Sequence, residues 1–408
     1  MGKTAKFLER LGHEVWVVTA AGQPLEPTLD VEVDPARVLS TRWLNVGFVA
    51  ESALGGRGQV VKAGFSAGGR KGAALRSIIK AARSTVVMPD PQIGWYPYAV
   101  RDGVRWLAEA RPDVIFASAG PYTSLLAGQR IARKLDVPWV AGFRDLWVDN
   151  PYREVPKARR LIEGRLERRT VSSASALVTV SEPLADTLRS KYDIPVAVVT
   201  NGYDEDDLQT AADATPSAGG RLLISYTGTI VPGRRDPTPL FRAVKSLGLT
   251  SDDIRMMFVG RYMDIVTDLS EAEGVASMVE VREPVSHHDA VRLQRESDVL
   301  LLLLWDDPRE RGVVTGKLFE YLGARRPVLL LGADTGVAAS LVTERHAGIA
   351  TTDPAVARAS LERWLQQKRE GGVPGVPSDR LTDLTREHQT GILADILDQA
   401  VRAASTRR

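Results

Sequence analysis

Apolar residues come in short runs separated by amphipathic stretches along most of the chain. Val114-Ile115-Phe116-Ala117, Pro138-Trp139-Val140-Ala141, Ala176 to Ser181 and Val196 to Thr200 read as buried strands. Val100 to Ala110, Leu125 to Leu135, Lys157 to Thr170 and Glu182 to Lys191 carry helical spacing between them. This alternation predicts a parallel sheet with crossover helices. The chain opens on a helix with apolar Phe7, Leu8 and Leu11 that stops at Gly12, followed by a strand from Val15 to Thr19. Residues 20 to 70 are rich in Gly, Pro and polar side chains and predict long loops. From Lys71 to Arg83 a helix sets Arg76, Lys80 and Arg83 on one face and Leu75, Ile78, Ile79 and Ala82 on the other. That basic face fits a membrane surface or an acidic acceptor, and a solvated face over a core stripe is the plainer reading.

The tract Thr215-Pro216-Ser217-Ala218-Gly219-Gly220 interrupts the alternation, which then begins again. Leu222 to Tyr226, Ile254 to Val259, Met278 to Val281, Val299 to Leu304 and Val328 to Leu331 are strands. Helices follow at Pro239 to Leu247, Asp289 to Arg295, Lys317 to Leu322, Ala355 to Gln367 and Asp383 to Ala404. The fold class expected is α/β, with two Rossmann-like doubly wound domains facing across a cleft. The domains are residues 1–205, residues 206–375, and a C-terminal helix in 376–408 that packs back on the first domain.

At 408 residues, two domains are also what chain length suggests. With 44% hydrophobic and 25% charged residues the balance is that of a globular protein, and a formal charge of +2 gives no case for a nucleic-acid partner. The absence of cysteine excludes disulfides and thiol nucleophiles, and five histidines with only His287-His288 adjacent argue against a histidine-rich metal site. No apolar run approaches the roughly 18 residues of a membrane span. The expected location is the cytoplasm, with peripheral contact at the inner face of the membrane as an option.

The densest chemistry lies at Gly312-Val313-Val314-Thr315-Gly316-Lys317-Leu318-Phe319-Glu320-Tyr321. Gly316 opens a helix whose first turn offers free N–H groups beside Thr315 and Lys317, which suits a phosphate or diphosphate. Glu320 follows on the same face, able to accept from sugar hydroxyls; an ordinary Lys-Glu surface pair is the equal alternative. In the loop after Leu222 to Tyr226, Gly228 allows close approach of a ligand and Arg234 is a second cation. The loops 118–124 and 142–150, with Gly120, Pro121, Tyr122, Arg144 and Asp145, follow strand ends where ligands collect. The acidic run Asp204-Glu205-Asp206-Asp207 superficially offers a metal-binding pair but follows Asn201-Gly202 and more naturally caps a short helix.

Together these segments resemble glycosyltransferase family 4, of the GT-B fold, over nearly the whole chain. The carriers are Ser225-Tyr226-Thr227-Gly228-Thr229 with Arg234-Arg235, Thr315 to Leu322, and Val178-Thr179-Val180-Ser181-Glu182 with Asn201-Gly202. The resemblance implies sugar transfer from a nucleotide-diphosphate sugar to a glycan or lipid-linked acceptor, with retention and no metal or other cofactor, in polysaccharide or cell-envelope biosynthesis. It implies that Arg234 and Lys317 hold the donor diphosphate and that Glu320 binds the ribose. Gly228, Thr229, Thr315 and Gly316 line the donor, Val285 and Ser286 lie near the nucleobase, and Gly120, Pro121, Tyr122, Arg144 and Asp145 face the sugar and acceptor. Where the family often has a second glutamate, eight positions before Glu320, this chain has Gly312. It also starts without the strand and Gly-rich loop that the family carries before the helix matching Gly2 to Leu11, so a truncated chain or a translation start assigned too late is expected; were the short form the real one, a core strand and part of the acceptor site would be absent and activity doubtful. A sugar-nucleotide epimerase of the same architecture, or a non-catalytic nucleotide-sugar binder, are the alternatives.

Overall fold

In a computed structural model, residues 1–22, 32–45, 87–153, 155–217 and 219–407 are described. The helix expected over Lys71 to Arg83, with Arg76, Lys80 and Arg83, lies outside them. The chain divides into two compact units: residues up to Val199 together with Gly391–Arg408 in the first, and Thr200–Thr390 in the second.

The first unit begins with α1 (Gly2–Arg10), β1 (Val17–Ala20) and β2 (Val38–Thr41). The strand β2 lies within residues 20 to 70, where long loops with little regular structure are expected, and pairs in parallel with β1 from Val17 against Val38 to Ala20 against Thr41. Its four residues Val-Leu-Ser-Thr are too short to give a period, but Thr41 is buried and bonds both Thr19 O and the indole N–H of Trp95. Then come α2 (Tyr96–Ala110), β3 (Ile115–Ser118), α3 (Thr123–Leu135), β4 (Trp139–Phe143), α4 (Lys157–Val171), β5 (Ala176–Thr179), α5 (Glu182–Lys191) and β6 (Val196–Val198). Strands β3, β4, β5 and β6 form a parallel sheet in that order. One of its faces packs Ala141, Phe143 and Leu177 against Leu125, Val171 and Leu188; the other packs Val140, Ala176 and Val178 against Leu8, Leu393 and Leu397.

The second unit holds α6 (Glu205–Gln209), β7 (Leu222–Thr227), α7 (Thr238–Ser246), β8 (Ile254–Val259), α8 (Asp264–Glu273), β9 (Val279–Arg282), α9 (His287–Glu296) and β10 (Val299–Leu303). It continues with α10 (Gly316–Gly323), β11 (Val328–Leu331), α11 (Val337–Glu344), β12 (Gly348–Thr351) and α12 (Pro354–Arg369), and α13 (Arg386–Arg407) leaves it. The sheet order is β12-β11-β10-β7-β8-β9, all parallel. Chain order reverses between β7 and β10, the switch point at which the loops diverge and leave a crevice.

The β10 run is apolar throughout because both of its faces are covered. Val299, Leu301 and Leu303 enter one core with Tyr226, Phe258 and Trp364, while Leu300, Leu302 and Leu304 enter the other with Leu318, Phe319 and Tyr321. Residues beyond α12 belong to this unit as well, since Val376, Leu381 and Leu384 are buried in the second core and Tyr203 N–H donates to Leu384 O at 3.0 Å. Among the described residues no helix is long and apolar enough to cross a membrane.

Candidate functional site

At the switch point of the second unit Lys317 lies against Gly228. β7 ends at Thr227, and Gly228 follows with φ 151°, a backbone angle that side chains other than hydrogen strain to adopt. A Cβ there would collide with the ammonium of Lys317, so the lysine lies directly over the glycine Cα. Gly260, after β8, has φ 150°, and its Cβ would strike Gly228 O. Two strand ends and the start of α10 thus close on one spot because neither strand end carries a side chain at the contact.

Lys317 Nζ is also 5.1 Å from the centre of the Tyr226 ring. Burial, reinforced by the nearby Arg235 guanidinium and partly offset by Glu320, lowers its pKa from 10.5 to about 8. Arg235 is fixed by donating from Nη1 to Thr229 O at 3.0 Å, and that carbonyl also accepts from Tyr226 OH at 2.9 Å. Arg234 goes elsewhere on the same crevice: its guanidinium lies 4.7 Å from the centre of Trp305, just past β10, and Arg309 lies 4.5 Å from that ring. Paired with Arg309, and with Arg234 near, Asp307 is held down at about 2.

Thr315 precedes α10, but its hydroxyl does not cap the helix. Its Oγ1 is buried with no hydrogen-bond partner, an uncommon state for a buried polar atom. Glu320, one turn into α10, accepts from Gln294 Nε2 at 3.3 Å. The same Nε2 donates to Thr227 Oγ1 at 3.0 Å, and Tyr321 OH accepts from Thr227 N–H at 2.9 Å. Gln294 therefore ties the carboxylate of α10 to the end of β7. Val285 is exposed, and Ser286 caps α9, with its Oγ accepting from Asp289 N–H at 3.1 Å and donating to Asp289 Oδ2 at 2.6 Å.

In the first unit, Gly120, Pro121 and Tyr122 follow the end of β3, and Arg144 and Asp145 follow the adjacent β4. Arg144 and Asp145 are exposed. Tyr122 is buried: it stacks on Trp147 at 5.3 Å, donates to Leu146 O at 2.7 Å and accepts from Asn150 Nδ2 at 3.1 Å. Its hydroxyl braces the loop after β4. Asp204 caps α6 by accepting from Asp206 N–H at 3.0 Å, so the acidic run is a helix start as its position after Asn201-Gly202 suggested. Among the described residues no group of three or more His, Cys, Asp or Glu side chains is placed to hold a metal ion.

Gln294, Trp305 and Arg235's place beside Lys317 were not anticipated. Gln294 had a local signal: it falls three residues after buried Val291 on the inward face of an otherwise charged helix. Trp305 closes the longest apolar run, but nothing in that run marks it as a platform for two arginines.

The sheet order, with its switch point between β7 and β10, is that of the GT-B fold class. The family model described as Glycosyltransferase Family 4 matches residues 2–207, about half of the 408 residues, and the chain belongs to that family. It is a glycosyltransferase. No curated protein matches the chain significantly in sequence. Among solved structures, it is similar to sucrose-phosphate synthase from Thermosynechococcus elongatus, with 13% identity, TM-score 0.64, and coverage of 98% of this chain and 92% of that one. A glycosyltransferase from Rickettsia africae ESF-5 is similar at 12% identity and TM-score 0.61, covering 98% and 93%. Anabaena Alr3699/HepE, in complex with UDP, is similar at 14% identity and TM-score 0.58, covering 95% and 100%. At such identities these likenesses speak for the fold.

Proposed function

We propose that this glycosyltransferase moves a sugar from a nucleotide-diphosphate sugar to a glycan or lipid-linked acceptor, with retention at the anomeric carbon, in polysaccharide or cell-envelope assembly. The observation that carries this reading is the Lys317 ammonium lodged over Gly228 beside Arg235, at the switch point of the second unit. A half-buried cation there favours an anion, and the free N–H groups opening α10 and the unpartnered Thr315 hydroxyl offer further donors. The structure of HepE with UDP supports a nucleotide diphosphate as that anion.

In this reading Lys317, with Arg235 beside it, and Arg234 from its place against Trp305 hold the donor diphosphate near Gly228, Thr229, Thr315 and Gly316. Glu320, steadied by Gln294, binds the ribose hydroxyls, and Val285 and Ser286 border the base. As the sugar C1–O bond breaks, charge grows on the departing diphosphate, and fixed cations stabilise it without reorganising. The acceptor hydroxyl forms the new C1–O bond on the same face and passes its proton to the departing diphosphate. No metal or other cofactor takes part. Gly120, Pro121, Arg144 and Asp145 serve the sugar and acceptor, with Tyr122 bracing their loop.

The test is donor turnover by Lys317→Ala, which should fall about 10²-fold. Screening UDP, GDP and ADP for thermal stabilisation identifies the nucleotide, a ligand at a hundred times its Kd adding about 2.7 kcal/mol. Unchanged turnover, or no stabilisation by any nucleoside diphosphate, overturns the reading.

A further inference from the structure

Helix α4 in the first unit has its polarity reversed. A surface helix ordinarily buries aliphatic side chains and exposes acids. Here Glu163 and Glu167 are each 1% exposed, whereas Leu161 is 65% and Ile162 47% exposed. The inward acids are fully engaged. Glu163 accepts from Arg153 Nη1 at 2.7 Å, Arg159 Nε at 2.5 Å and Trp147 Nε1 at 3.3 Å. Glu167 accepts from Lys191 Nζ at 2.6 Å, Tyr192 OH at 2.7 Å and Val148 N–H at 2.9 Å.

With the acids turned in, the outer face is left with cations and aliphatics. At 3.6 residues per turn, Lys157, Leu161, Ile162, Arg165, Arg168 and Arg169 share an arc of about 140°, all exposed and with no carboxylate among them. Among the described residues none of these four cations pairs with a carboxylate; Arg168 lies 6.0 Å from the Tyr192 ring. Nearby Asp149 is occupied by Arg160 and Lys191. The face therefore offers fixed positive charge around two aliphatic side chains that water solvates poorly.

We propose that the outer face of α4 docks on an anionic phospholipid surface. Leu161 and Ile162 enter the boundary between headgroups and acyl chains, and Lys157, Arg165, Arg168 and Arg169 meet the lipid phosphates. Both components of the face are satisfied at once by such a surface. A folded protein partner fits less well, because the face is one convex helix with no aromatic anchor and is dense in charge where interface centres are depleted of it. A nucleic acid would leave the aliphatic pair unused. This inference stands apart from the donor site and does not rest on the sugar-transfer reading.

The experiment is sedimentation of the full chain with vesicles of phosphatidylcholine alone and of phosphatidylcholine with about 30% phosphatidylglycerol. The chain should pellet with the anionic vesicles only, and about 0.5 M salt should release it. Leu161→Ser with Ile162→Ser, and separately Arg165→Glu with Arg169→Glu, should each weaken binding at least about tenfold, since one basic residue near an anionic leaflet is worth about fivefold. All four positions are exposed, so both variants should keep the wild-type melting temperature. Wild-type chain left in the supernatant, or variants that pellet as well as wild type, overturns the proposal. So does self-association of the wild type that the Leu161→Ser, Ile162→Ser variant abolishes, which would make the face a protein interface.

Discussion

The ammonium of Lys317 occupies the space that a Cβ would fill at Gly228. Chemistry and backbone are therefore coupled at this point: the lysine reaches the crevice because the strand end lacks a side chain. Gly228→Ala should displace Lys317 and lower donor turnover by about 10²-fold, as Lys317→Ala does. Combining the two should cost no more than either alone, because both remove the same group. Steady-state rates of the two single variants and the double variant check this, and additive losses would show that Gly228 acts independently.

Burial of Lys317 also makes its charge depend on pH in the working range. Between about 8, its pKa in the folded chain, and 10.5, its ordinary value, the unfolded chain holds a proton that the folded chain has shed. This group therefore adds stability as pH rises through that window and adds none below it. A bound diphosphate favours the charged lysine, so binding should take up a proton near pH 8 and weaken as pH rises further, by up to about tenfold per unit. Calorimetry of UDP binding in buffers of different ionisation enthalpy measures the uptake; Lys317→Met should abolish it.

Gln294 spends one amide nitrogen on both Glu320 and Thr227, while its Oε1 is buried without a partner. Gln294→Leu removes the unpaired oxygen along with the donors, so stability should change little. The freed Glu320 carboxylate, however, should bind donor less well, and KM should rise about tenfold for the loss of a hydrogen bond to a charged group. Gln294→Glu should be worse, since it sets a second carboxylate against Glu320. An equal effect of the two substitutions on KM would argue against the positioning role.

Away from the site, Lys368 of α12 and Asp298 before β10 form a pair at 2.9 Å with exposures of 2% and 1%. Lys368 also donates to Ser217 O at 2.6 Å, and Asp298 accepts from Leu223 N–H at 2.8 Å. Lys368→Met strands a buried carboxylate and should cost about 3–5 kcal/mol in urea unfolding. Adding Asp298→Asn should recover much of that loss by removing the orphaned charge.

The elements visible in the sequence were those with an unambiguous period or a fully apolar run. Ile254–Val259, Val328–Leu331 and Glu182–Lys191 have the bounds expected from pattern alone. Short or mixed segments were missed. Gly348–Thr351 has four residues and opens on glycine, Val337–Glu344 follows a Gly- and Asp-rich turn, and Asp264–Glu273 mixes β-branched residues with acids. The same division holds in the site. Gly228 and Lys317 sit next to strand and helix ends, which pattern locates; the link from Gln294 to Glu320 joins positions 26 residues apart and exists only once α9 and α10 pack.

The first unit is interrupted in sequence: Val140, Ala176 and Val178 share their core with Leu393, Leu397 and Ala400 of α13. During translation, the strands of this unit leave the ribosome long before the helix that covers them. The part of that sheet face that Leu8 of α1 does not cover must wait, unsheltered, while all of Thr200–Thr390 is made. Nascent chains stalled before Gly391 should thus be the species that chaperones bind most strongly, and release should coincide with emergence of the terminal helix.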